Sequence, residues 1–190
     1  MTNYYCLVTG LPELSLEDGK LSYTVSNFKT EIYPQLSKAD KKLVDMFYLK
    51  FDNRNLLTLL KDKEASVDTS LGNYSADELL SVITSLKEET APDKKFPPYF
   101  YEFAKLYLET PDEERWGLED KLHGYYYNHA IKCGNSFVSA WFELNLDVNN
   151  ILAALAARKY KMEVSKVPVG DNFVAEALRS SNARDFGLAD

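Results

Sequence analysis

Apolar residues recur along this chain at helical spacing, three or four apart, from near residue 40 to near residue 180. "SKADKKLVDMFYLKF" opens on the cap signals Ser37 and Asp40. It then sets Leu43, Val44, Phe47, Tyr48 and Phe51 on one face. Ser75 with Glu78 makes a capping box ahead of "ADELLSVITSLKEE", whose apolar face is Leu79, Leu80, Val82, Ile83 and Leu86. Pro98 sits where a helix accepts proline, and Tyr99, Phe100, Phe103, Leu106 and Tyr107 follow as an aromatic stripe. Thr110, Pro111 and Glu113 read as cap, first-turn proline and capping box of a helix that closes at Gly134. Asp171 reads as the cap of a last helix, "NFVAEALRSS". Only the opening "YYCLVTGLPEL" is ambiguous, a short strand or a turn of helix. The pattern predicts an all-α fold of antiparallel helices.

One phrase occurs twice. Aligning Asp52 with Asp147, an offset of 147 − 52 = 95, matches Phe47–Lys63 to Phe142–Arg158 without a gap. Six of the seventeen pairs are identical: Phe47/Phe142, Leu49/Leu144, Asp52/Asp147, Asn55/Asn150, Leu57/Leu152 and Leu60/Leu155. An aspartate before an apolar run suits a helix N-cap, and an asparagine three residues later can fold back toward it. The expected unit is therefore helix, one-residue corner, helix, with Asp52 and Asp147 as caps supported by Asn55 and Asn150. Phe47/Phe142, Leu57/Leu152 and Leu60/Leu155 are expected to be buried at matching places. The linker signal "TAPDKKFPP" divides the chain into a first lobe at 1–95 and a second at 96–170. Residues 171–190 read as the start of a possible third lobe.

Composition narrows the function. The 190 residues carry a net charge of −7, which argues against general nucleic-acid binding. No apolar run approaches the roughly 18 residues of a membrane span, and the start lacks the pattern of a signal peptide. Cys6 and Cys133 form neither a metal motif nor a disulfide framework, which fits a reducing cytoplasm. His123 and His129, six apart, fall on different sides of a helix. The acidic runs at 87–89 and 112–115 read as solvated helix faces. No phosphate-binding, dinucleotide, zinc-protease or serine-hydrolase motif is present. The tyrosines 125–127 cannot all face one way, so one is expected outward for a partner. No catalytic residue, cofactor or metal is expected, and the composition suits a binding or structural role.

"D-x-x-N-[LI]-L", read at Asp52-Asn55-Leu56-Leu57 and at Asp147-Asn150-Ile151-Leu152, with Arg158-Lys159 after the second copy, resembles the C subunit of V-type ATPases and ATP synthases (the d subunit in eukaryotes). The opening "NYYCLVTGLPEL" is similar to a shorter bacterial branch encoded beside V-type ATPase subunits in Bacteroidetes, spirochaetes and chlamydiae. The resemblance implies pseudo-symmetric helical lobes and a non-catalytic central-stalk part. Its partners would be the rotor shaft and the membrane ring of proteolipid subunits. It further implies a cytoplasmic protein, peripheral at the inner membrane, that does not itself insert. Family members usually have three lobes, and this chain shows two and the start of a possible third. The alternative is a helical adaptor or regulator unrelated to an ATPase. An enzyme would require His123 or His129 against a carboxylate in a cleft.

Overall fold

The N-terminal segment that could have been a strand is a short helix, α1 (Tyr5–Thr9). In this computed structural model residues 4–13, 15, 17, 19, 23–181, 183 and 186 are described. Among them every regular element is helical. Most of the possible third lobe's tail, beyond Ser181, lies outside these residues. A short helix α2 (Val25–Asn27) runs on through a wider turn at Phe28–Ile32 into a 3-10 turn at Tyr33–Gln35. Tyr4 ties the start of the chain to the residues around Ser37. Its hydroxyl donates to Asp40 Oδ2 at 2.7 Å and accepts from the Ser37 amide at 2.7 Å.

Ser37 caps α3 (Lys38–Lys61), which runs 24 residues without a break. Asp52 therefore stands in mid-helix, and the expected corner does not exist. The same holds for Asp147, which is interior to the 24-residue helix Ser136–Lys159. No proline or glycine interrupts either stretch, so nothing local stops the helix. An aspartate competes with helix chiefly by bonding its own nearby backbone. Here both carboxylates are engaged by distant parts of the chain instead.

α4 (Ala76–Lys87) starts on the predicted capping box. Ser75 Oγ accepts from the Glu78 amide at 3.3 Å, and Glu78 Oε2 accepts from the Ser75 amide at 2.7 Å. α5 (Pro98–Glu109) begins at the predicted proline. The capping box expected at Thr110 is absent. Pro111 instead leads into a 3-10 turn, Asp112–Gly117, and the Thr110 hydroxyl bonds back to Leu106. α6 (Leu118–Ile131) follows, then α7 (Ser136–Lys159), capped by Asn135. α8 (Phe173–Ser180) is capped by Asn172, one residue beyond the expected Asp171.

Successive helices from α3 to α8 pack on one another, and α3 also meets α5 and α6. Phe100, Phe103, Leu56, Leu79 and Ile83 are fully enclosed. Buried side chains form one continuous set from Leu49 to Phe142. Phe47 and Phe142, equivalent in the repeat, meet there with ring centroids 5.1 Å apart. Tyr126 is edge-on to Phe142 and donates its hydroxyl to the Met46 carbonyl at 3.0 Å. Of the three tyrosines, Tyr126 is buried and Tyr125 and Tyr127 are half-buried, so none stands fully outward.

Candidate functional site

The repeated aspartate and asparagine do related work in both copies, and it is not capping. Three residues apart, they share a helix face. In each copy that face meets the loop leading to the next helix. Asp52 is completely buried. Its carboxylate accepts from the Asn73 amide at 2.9 and 3.0 Å, from Asn73 Nδ2 at 2.9 Å and from the Tyr74 amide at 3.2 Å. Asn55 Nδ2 donates to the Asp68 carbonyl at 2.8 Å. The loop between α3 and α4 is thus held by its backbone from one side. Lys29 holds it from the other, donating to the carbonyls of Leu71 at 3.0 Å and Gly72 at 2.5 Å.

In the second copy Asn150 grips Val169, donating to its carbonyl and accepting from its amide, each at 2.8 Å. Asp147 accepts from Asn172 Nδ2 at 2.7 Å, while Asn172 Oδ1 caps α8 by accepting from Ala175 at 2.9 Å. Each motif therefore clasps the loop just ahead of the next helix. A loop glycine accompanies each clasp. A Cβ on Gly72 would collide with Asp52 Oδ1, and one on Gly170 would lie 3.2 Å from Leu146 Cδ2. Gly170 also has φ +79°, a conformation that favours glycine. "LGN" at 71–73 and "VGDN" at 169–172 were the available signals that the motif has a partner downstream.

Burial raises the Asp52 pKa to about 6, outweighing the donated hydrogen bonds and the nearby Lys29 charge, which act to lower it. Burial also raises Asp45, against its hydrogen bond from Tyr33 at 2.6 Å. Lys29 is lowered, again first by burial. These groups sit on packed helices and hold loops, which is a structural use of perturbed carboxylates.

The histidines do not meet a catalytic partner. His129 is half-buried with its ring 5.4 Å from that of Tyr99, and burial lowers its pKa. His123 is exposed at the rim of a groove of about 730 Å³ between α6, α7 and the 162–169 segment. Both tryptophans, Trp116 and Trp141, line that groove, as do Tyr127 and Asn149, the Asn149 amide donating to the Tyr127 hydroxyl at 2.9 Å. A second groove of about 610 Å³ is ringed by Lys29, Lys42, Lys94 and Lys95 with Asp45 and His129. Among the described residues no three His, Cys, Asp or Glu side chains gather as metal ligands. Among the same residues no helix is long and apolar enough to cross a membrane.

The family described as a protein of unknown function (DUF2764) matches residues 1–190. The chain belongs to this family. No curated protein and no solved structure matches it. The paired clasps, which lie within that full-length match, thus describe an architecture for DUF2764 in this chain: long helices that pin the loops following them.

Proposed function

We propose that this chain is a non-catalytic central-stalk subunit of a V-type ATPase or ATP synthase. It joins the rotor shaft to the membrane ring of proteolipid subunits. It binds no cofactor, and it reaches the membrane face only through the ring. The observation that carries the reading is the duplicated clasp. A part that passes torque must resist shear between its helices, and each 24-residue helix is bonded by side chains to the loop that begins the next one. The aromatic core, close-packed across α3, α5, α6 and α7, adds stiffness in the same direction. The assignment to a rotary ATPase, as opposed to another rigid helical scaffold, is supported by the resemblance of the D-x-x-N-[LI]-L phrases and the N-terminal segment to the C subunit.

Purification of the intact rotary complex through a tagged shaft protein tests this. The chain is expected in stoichiometric amount with shaft and ring. An intact, active complex that lacks it would overturn the proposal and leave the second reading, a helical adaptor outside any ATPase. The adaptor reading has its own support in the exposed apolar residues of α7.

A further inference from the structure

α7 is apolar on two opposite faces. Val138, Phe142, Leu146, Asn150, Ala154 and Ala157 point into the fold. Phe137, Trp141, Leu144, Val148, Leu152 and Leu155 point out, each between 37% and 69% exposed. The outer set repeats every eleven residues: 137 with 148, 141 with 152, 144 with 155. That period keeps a stripe nearly straight along a helix, here within a band about 80° wide. The stripe's immediate flanks are Ala140, Asn145, Asn149, Ile151 and Ala156, with Arg158 and Lys159 as the charges at its C-terminal end. A charge-free stripe of aromatic and aliphatic side chains has the composition of an interface core.

We propose that the stripe is covered by α7 of a second copy, running antiparallel about a two-fold axis between Leu144 and Val148. Reversed about that axis the stripe nearly reproduces itself. Phe137 lies over Leu155, Leu144 over Val148, and Trp141 beside Leu152, so the two halves of the stripe face each other. The antiparallel arrangement opposes the two helix dipoles and keeps the Lys159 ends apart, whereas a parallel pair would align both. The six residues expose on the order of 600 Å², so full coverage in a pair would bury up to about 1,200 Å², which reaches the lower end of specific interfaces. This inference does not rest on the rotary-ATPase reading, because the stripe alone defines it.

Light scattering after size exclusion of the full chain, loaded at roughly 100 µM so that a weak dimer is populated, reads the result directly. A mass of twice one chain is expected. Leu144→Glu with Val148→Glu is expected to give one chain's mass with unchanged helical circular dichroism. Leu108→Glu, at an exposed apolar residue on α5, is expected to leave the dimer intact. Should the double variant lose helicity, Trp141→Ala serves instead, with an expected weakening of tenfold or more. A wild-type monomer overturns the proposal. So does a dimer that survives the stripe variants, or one that Leu108→Glu also dissolves.

Discussion

The rings of Phe47 and Phe142 lie 5.1 Å apart, centre to centre, although the sequence repeat makes them equivalents of each other. Equivalent residues of a duplicated unit here form one contact at the junction of α3 and α7. Tyr126 and Tyr127 close around Phe142. Phe142→Ala should therefore loosen both halves together, costing about 3–5 kcal/mol as buried Phe truncations do. Urea unfolding should remain a single transition with a lower midpoint. Two separated transitions in the variant would show that the halves do not share this contact.

Asp52 sets a pH dependence. Its folded pKa, about 6, stands above the ordinary value of 3.8 because burial outweighs its hydrogen bonds. By linkage, the unfolded state gives up this proton first, so raising the pH favours unfolding. This contribution is fully present below about pH 4 and is lost as the pH rises through about 6. Wild type measured against Asp52→Asn should lose up to about 3 kcal/mol of relative stability over that window. Denaturant titrations of the two proteins across the range from about pH 4 to about pH 7 measure it. A difference that stays flat or rises with pH contradicts the burial argument.

Gly72 and Gly124 should respond oppositely to alanine. A Cβ at Gly72 runs into the Asp52 carboxylate, whereas at Gly124, inside α6, it meets only Val169 Cγ1 at an ordinary 3.6 Å. Gly124→Ala should stabilise by about 0.5–1 kcal/mol through helix propensity. Gly72→Ala should destabilise by about 1–3 kcal/mol, because the carboxylate must leave its donors. Thermal melts of the two variants decide this, and equal shifts of the same sign would refute the close approach.

Helical periodicity and capping chemistry made α4 and α5 legible, since the Ser75–Glu78 box and Pro98 act within a few residues of themselves. Asp52 and Asp147 misled for the same reason. Asp before an apolar run is also a cap signal, and the loops that claim these carboxylates return only at Asn73 and Asn172. Burial failed at the same range. Leu57 is buried while its repeat partner Leu152 is 59% exposed, and Leu155 is exposed where Leu60 is half-buried. α3 is covered by α4, α5 and α6, whereas α7 turns one apolar face outward. Local pattern identifies an apolar face, but only the tertiary arrangement says what covers it. The pairing of Gly72-Asn73 with the first motif and Gly170-Asn172 with the second could have been read from their recurrence.

The central claim is that one clasp is used twice, and double-mutant cycles test it most directly. Asp52→Ala with Asn73→Ala, and Asp147→Ala with Asn172→Ala, each isolate a side-chain bond, of 2.9 and 2.7 Å respectively. Unfolding free energies should give a coupling of at least about 0.5–1 kcal/mol in both cycles, larger at the fully buried Asp52. Strict additivity in either cycle would mean that the repeated motif does not hold its loop there, and the account of a duplicated clasp would fail.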